Sequence, residues 1–307
     1  MFVGHAAFAF GAVALLSSRY GATRQRAVAL GVVAALFATI PDVDMAYALV
    51  ALVGVDPTQP IAAAESFWSA STQVHRAVTH SLVVAVPSAA AFALTPTHRR
   101  VAAGVLVALV ALAGVVTGPL AAAVMALFAV AGWLVATASH RVGVHGRSLF
   151  VVALAGLASH PFGDLLTGHP PQFLYPLDAA VFGSRVTLAA DPTLHLLGAF
   201  AVELAAVWIG VLALVHLSEL DLREHVNARA AAGAAYALAA LVIPPPTLAG
   251  SYQFVFSVLA VSVVGVVPLE NHRTVSTPHP WTALLTGLAA VTLGGVAYAT
   301  VYLGGLA

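Results

Sequence analysis

Apolar residues run through this chain in ten blocks, close to 4–18, 27–40, 81–95, 101–116, 120–138, 148–160, 196–217, 230–243, 252–267 and 282–304, with polar residues gathered between them. Uncharged runs near 18 residues match the ~30 Å hydrocarbon core of a bilayer. The pattern predicts an all-α fold, a polytopic transmembrane helical bundle of about eight to eleven spans. Several blocks are short. Fourteen helical residues reach only about 21 Å, so neighbours must shield such helices or the bilayer must thin around them. Pro244-Pro245-Pro246 separates two late blocks, since proline cannot continue a helix. The first block lacks a charged segment before it and a small-residue cleavage site after it, and reads as a retained span. The motifs described below fall in residues 1–180, read as one membrane domain; residues 181–307 add further helices, expected to join the same bundle.

Charge gives these spans a direction. All 12 basic residues are arginine. Ten of them (Arg19, Arg24, Arg26, Arg99, Arg100, Arg141, Arg147, Arg223, Arg229 and Arg273) fall in alternate loops, on one side, which the positive-inside rule makes cytoplasmic. Only Arg76 and Arg185 lie opposite. Charged residues are 8% of the chain, against roughly 25% in soluble proteins, too few to cover a water-facing surface. The net charge of +0 points away from nucleic acid. With no cysteine, disulfides, thiolate metal sites and thiol nucleophiles are excluded. The anomaly is 13 histidines among so few polar positions.

Topology sorts those histidines. His98, His140, His145, His216, His225, His272 and His279 fall at cytoplasmic ends. Four clusters share the opposite face: Gly4-His5 opening the first block, Pro41-Asp42-Val43-Asp44 closing the second, His75-Arg76-Ala77-Val78-Thr79-His80-Ser81 opening the third, and His160-Pro161-Phe162-Gly163-Asp164 closing the sixth. Imidazole and carboxylate ligands without thiolate suit Zn²⁺, with Mn²⁺ or Fe as alternatives. His160 and Asp164, four apart, share a helix face, and Pro161 predicts a kink or a helix restart between them. Asp42 and Asp44 would diverge by about 200° on an α-helix, so a non-helical segment is expected to turn both inward. His75 is expected in a loop and His80 near a helix start. The candidate metal ligands are therefore His5, Asp42, Asp44, His75, His80, His160 and Asp164. Asp42, Asp44, Arg76 and His80 are the candidate catalytic residues, with the Arg76 fork suited to an anionic group or, alternatively, to an ion pair with Asp42 or Asp44.

Other polar residues carry weaker signals. Asp191 and His195, four apart at the start of the seventh block, read as a helix cap or an extra ligand pair. Glu203, two turns into that block, needs a partner or a proton. His169 beside Pro170 and Pro171 reads as a surface residue. The arginine that phosphatidic acid phosphatases place six residues before the histidine of His-x-x-x-Asp is Leu154 here, and no Gly-x-Ser-x-Gly elbow occurs.

In this order, the four clusters resemble the YdjM-like family of membrane-bound, metal-dependent hydrolases of the inner membrane. The family pattern is an early Gly-His, a Pro-Asp-x-Asp, a His-Arg-Gly-x-Thr-His-Ser and a Ser-His-x-x-x-Asp-x-Leu-Thr. It is met here by Gly4-His5, Pro41-Asp42-Val43-Asp44, His75 to Ser81 and Ser159 to Thr167, followed by Phe173-Leu174-Tyr175-Pro176. Ala77 stands where the family has glycine, and Pro161 directly follows the histidine. The motifs are also similar to those of helical zinc-dependent phospholipases C and single-strand nucleases. The resemblance implies a multi-pass protein of the cell membrane. Its metal face is expected to be extracytoplasmic, and the metal count is left open. The implied activity is hydrolysis of a phosphoester in a lipid or lipid-linked substrate by metal-activated water, with the lipid bilayer as surroundings. Two other readings compete. A transporter or channel would string its ligands through the membrane depth, and a scaffold with a structural metal would close the coordination.

Overall fold

The computed structural model describes residues 2–56, 58–71, 76–271, 274–276 and 278–305. The helices, in chain order, are α1 (Phe2–Arg19), α2 (Arg24–Thr39), α3 (Pro60–Ser71), α4 (Leu82–Leu94), α5 (Arg99–Val116), α6 (Pro119–Arg141), α7 (Gly146–Gly163), α8 (Pro192–Leu217), α9 (Leu222–His225), α10 (Ala239–Val242), α11 (Ser251–Ala260) and α12 (Pro280–Leu303). Tighter 3-10 stretches extend or precede them, chiefly Pro41–Leu52, Val78–His80, Asp164–Leu166, Ala228–Leu238 and Val261–Gly265. Two short antiparallel strands, Leu269–Asn271 and Thr274–Ser276, pair with Glu270 opposite Val275.

The chain is a multi-pass helical membrane protein. Among the described residues, six helical segments are long and apolar enough to cross a bilayer: α5, α6, Gly146–Leu166, α8, Leu248–Gly265 and α12. α2 with Pro41–Leu52, bent by 45°, makes a seventh if the pair is one span. Val3–Arg19, α4 and Ala228–Val242 are shorter apolar helices. Every predicted block falls on one of these elements. Length alone therefore supports six or seven of the eight to eleven expected spans, and the remaining three are helices that need the shielding foreseen for short blocks.

The chain divides into two compact units, Met1–Arg185 with Ala206–Leu214, and Val186–Ala205 with Val215–Ala307. In the first unit α2 packs on α1 and α7, α4 packs on α7 and α5, and α6 packs on α5 and also touches α2, α4 and Pro41–Leu52. Phe37, Phe92, Phe128, Met125, Leu149 and Leu157 fill the core. Between them the buried contacts are small: Ala34, Ala38, Ala85, Ala89, Ala136 and Ala153 are all within 4% of full burial. In lipid, apolar surface alone does not drive helices together; close backbone approach and van der Waals contact do, and alanine permits both. α2 and α7 approach closely at Gly156, where an added Cβ would lie 2.5 Å from the Ala34 carbonyl oxygen and 2.8 Å from the Ala38 nitrogen. In the second unit Phe200, Tyr236, Phe254 and Tyr298 form the aromatic centre.

Two local devices position the polar end of the first unit. Pro41 has no N–H to continue the α2 ladder, so the chain turns into the 3-10 helix Pro41–Leu52. Ser81 caps α4 by accepting from the Val83 and Val84 N–H groups, and its hydroxyl donates to the Tyr175 carbonyl at 2.6 Å. The Leu82 N–H donates to the Phe173 carbonyl at 2.9 Å, and the Gln172 N–H to the Arg76 carbonyl at 2.9 Å. Phe173-Leu174-Tyr175-Pro176 is thereby tied to the segment carrying His80.

Substituting Gly156→Ala should force α2 and α7 apart and cost about 1–3 kcal/mol, the usual penalty of overpacking a tight contact. A thermal melt in detergent measures it; an unchanged midpoint would show that the two backbones do not touch there.

Candidate metal centre

α1 and α4 start, and α2 and α7 end, at the same end of the first unit. Their terminal residues meet there. Asp42, His80, His160 and Asp164 each present a ligand atom, all within 4.8 Å of one another. The His80 and His160 Nε2 atoms face each other at 3.1 Å. Asp164 Oδ2 lies 3.2 Å from His80 Nε2 and 3.6 Å from His160 Nε2, while Asp42 Oδ1 lies 3.3 Å from His160 Nε2. Pro161 sits inside α7 and leaves the His160–Asp164 pair in reach, Asp164 opening a 3-10 turn beyond the helix.

The ring orientations are set from behind. His160 Nδ1 donates to the Ala38 carbonyl at 2.6 Å, a contact that the close approach at Gly156 allows. His80 Nδ1 lies 2.9 Å from the Thr79 hydroxyl and 3.3 Å from Asp44 Oδ2, and the Thr79 hydroxyl itself donates to Asp44 at 2.9 Å. With Nδ1 the donor in both rings, both Nε2 atoms turn their lone pairs inward. Two lone pairs meeting at 3.1 Å repel unless a proton or a cation lies between them. Burial pushes the His80 pKa down, but hydrogen bonds to Asp164 and Asp44 outweigh it and hold the imidazole above its ordinary value.

Charge gives the same answer. Asp44 and Asp164 are buried and the Asp42 side chain is only 16% exposed, with Arg76 the one guanidinium against them. With the imidazoles neutral, as metal ligation requires, three carboxylates against one guanidinium leave two negative charges among the described residues. Buried charge demands compensation, and a divalent cation on two imidazoles and two carboxylates supplies that amount. The residues present therefore fit a hard or borderline divalent metal.

The other predicted residues are placed as follows. His5 stacks on His160 with ring centroids 3.8 Å apart, and its Nε2 faces Asp164 Oδ1 at 3.3 Å, adjoining the four-residue group without being part of it. Asp44 stands behind His80. The helix at Pro41–Leu52 overturns the expected non-helical segment, and with three residues per turn it sends positions 42 and 44 in directions about 120° apart. His75 lies outside the described residues. Arg76 pairs with Asp164, Nε to Oδ2 at 3.4 Å, rather than with Asp42 or Asp44. Its Nη1 donates to the carbonyls of Asp164 at 3.1 Å, His169 at 3.0 Å and Thr167, and its Nη2 to the Thr167 hydroxyl at 3.0 Å. Gly168, at φ +62°, gives the loop the turn that closes it round this guanidinium.

Asp191 and His195 belong to the second unit and act in a cap. Asp191 Oδ1 accepts the Leu194 N–H at 2.8 Å and Oδ2 accepts the Tyr302 hydroxyl at 3.1 Å, and His195 Nδ1 accepts the Leu188 N–H at 3.1 Å. Hydrogen bonding from the Leu194 N–H lowers the Asp191 pKa. Sequence reasoning missed Thr79, Thr167 and the Ala38 carbonyl. The two threonines stood inside recognised motifs, but a carbonyl carries no residue signal.

No curated protein and no solved structure matches this chain. The model of the YdjM inner membrane protein family matches residues 1–244, past the limit near 180 set by the motifs and into the second unit. With the four clusters gathered at one bundle end and most of its length matched, the chain belongs to the YdjM inner membrane protein family.

Proposed function

We propose that this protein is a membrane-embedded, metal-dependent hydrolase acting on a phosphoester in a lipid or lipid-linked substrate. The observation that carries the reading is the convergence of two imidazoles and two carboxylates within 4.8 Å at one end of the bundle. Asp42, His80, His160 and Asp164 would hold the metal, Zn²⁺ by the donor set, with His5 beside Asp164. A bound divalent cation supplies Lewis acidity, lowering the pKa of water and polarising a phosphoryl oxygen. With the two excess negative charges balanced, the site no longer repels an anionic substrate.

Access and apolar surroundings support a lipid substrate. Asp42 is the partly exposed member of the group, so approach is from its side. Phe162, between His160 and Asp164 in the chain, is 54% exposed, and Val3, two residues before His5, is 65% exposed, apolar surface suited to an acyl or prenyl chain. The donors of Arg76 are directed into residues 164–169, and we assign it the role of a clamp on Asp164 instead of an anion-binding group. The arginine distribution supports an extracytoplasmic position for this end of the bundle.

Elemental analysis of protein purified without chelator should find Zn²⁺ (Mn²⁺ or Fe would revise the metal), lost on Asp42→Ala or His160→Ala. Phosphate release should be seen from a lipid phosphate in mixed micelles and fall by at least 100-fold in both variants. Metal-free wild-type protein, or variants with full metal and full activity, would refute the assignment.

Removing the clamp should be costly for stability. Arg76→Met leaves Asp164 without its cation and should lose about 3–5 kcal/mol, as for other broken buried pairs. Arg76→Lys keeps the charge but not the fork, and should fall between. Denaturant midpoints in detergent give the order, and an Arg76→Met protein as stable as wild type contradicts the clamp.

Orientation can be read by labelling, because the chain has no cysteine of its own. A membrane-impermeant maleimide should label His169→Cys in intact cells and His98→Cys only after lysis. The reverse pattern would place the site at the cytoplasmic face.

A further inference from the structure

The motif Pro41-Asp42-Val43-Asp44 brings two carboxylates to the site, and they have different surroundings. Asp42 is partly exposed and belongs to the four-residue group. Asp44 is fully buried. Its Oδ2 accepts the Arg76 backbone N–H at 3.1 Å and the Thr79 hydroxyl at 2.9 Å, and lies 3.3 Å from His80 Nδ1. All three contacts come from the one segment that carries His80. Arg76 has φ +69°, a left-handed conformation that costs a non-glycine residue free energy and persists only where surrounding contacts hold it. The hydrogen bond to Asp44 is one such contact.

We propose that Asp44 is a positioning residue for the metal centre and not one of its ligands: it grips the back of the His80 imidazole and the backbone around it, so that Nε2 faces Asp42, His160 and Asp164 with its lone pair free to coordinate. The two aspartates of the motif thus divide the work, Asp42 binding and Asp44 orienting. A carboxylate behind a ligating histidine fixes its tautomer and raises its basicity. The Ala38 carbonyl does the same for His160, so each imidazole is held from behind by an acceptor on or beside the bent pair of α2 and Pro41–Leu52. This inference rests on the metal-centre reading above.

The test measures Zn²⁺ affinity by chelator competition, stoichiometry at saturation, and the visible spectrum of the Co²⁺-loaded protein. Asp44→Asn and Asp44→Ala should keep the wild-type stoichiometry and Co²⁺ band pattern while affinity falls by about 10–100-fold, the usual cost of losing such a partner. The asparagine variant, which retains an acceptor, should be the milder. Asp42→Asn should instead change the Co²⁺ spectrum or lose the metal. If Asp44→Asn alters spectrum or stoichiometry as Asp42→Asn does, Asp44 is a ligand and the inference fails; wild-type affinity in Asp44→Ala also overturns it. Should the Asp44 variants not fold, Thr79→Val decides. It removes one hydroxyl from the same array and should weaken Zn²⁺ several-fold at unchanged stoichiometry, and wild-type affinity there would overturn the proposal. Full metal in both Asp42→Asn and His160→Ala would defeat the metal-centre reading itself, a result separable from any of these.

Discussion

Asp164 is the group on which the first unit's polar end turns. Its carboxylate faces His5, His80 and His160, and the Arg76 guanidinium spans its Oδ2 and its own carbonyl. Those partners come from α1, from the turn before α4, and from α7. A buried carboxylate with too few cations would be intolerable in a membrane protein, where water cannot be drawn in cheaply to solvate it. The helix ends are therefore not free to separate: each that moved away would strip a cationic or potentially cationic partner from the same oxygen atoms. Packing through alanine and Gly156 brings the backbones close, but it is weakly directional. The polar end supplies the register.

The convergence of four motifs was legible from the chain because it depends on parity. Each span reverses direction, so His5, Asp42, His80 and Asp164 must lie at one end whatever the tilt of the helices. The i, i+4 relation of His160 and Asp164 was equally plain, and the proline between them did not break it. Short blocks such as those of α1 and α4 were readable as helices because their apolar runs are unbroken, while their status as spans depends on neighbours that no local pattern describes.

What was not legible depends on winding and on the main chain. Whether Asp42 and Asp44 face together is decided by the 3-10 helix after Pro41, and a motif of two aspartates does not declare its own pitch. The partners of Arg76 are mostly carbonyls of residues 164–169, which any sequence would offer. An outer arginine beside metal ligands suggested an anion site for good chemical reasons. Only the loop closing at Gly168 turned its donors elsewhere.

The depth distribution of polar groups bears on what the site is for. In the first unit the buried charged or imidazole side chains, among the described residues, are His5, Asp44, Arg76, His80, His160 and Asp164, all at one end. Deeper positions hold only hydroxyls, Ser88 and Thr95 on or beside α4 and Ser139 on α6, and two of these bond to carbonyls within a turn. An ion path needs successive ligands along the membrane normal, because each step away from one must be offset by approach to the next. Here such a path would cross a core of Phe37, Phe92, Phe128 and Met125. Glu203, the acid two turns into the seventh block, belongs to the second unit. The arrangement instead supports the proposed reading of a reaction site at a surface, with the partly exposed Asp42 toward the entrance and the apolar interior behind. That placement suits a substrate held in the bilayer by its apolar part, with its reacting group delivered at the depth where these helices end.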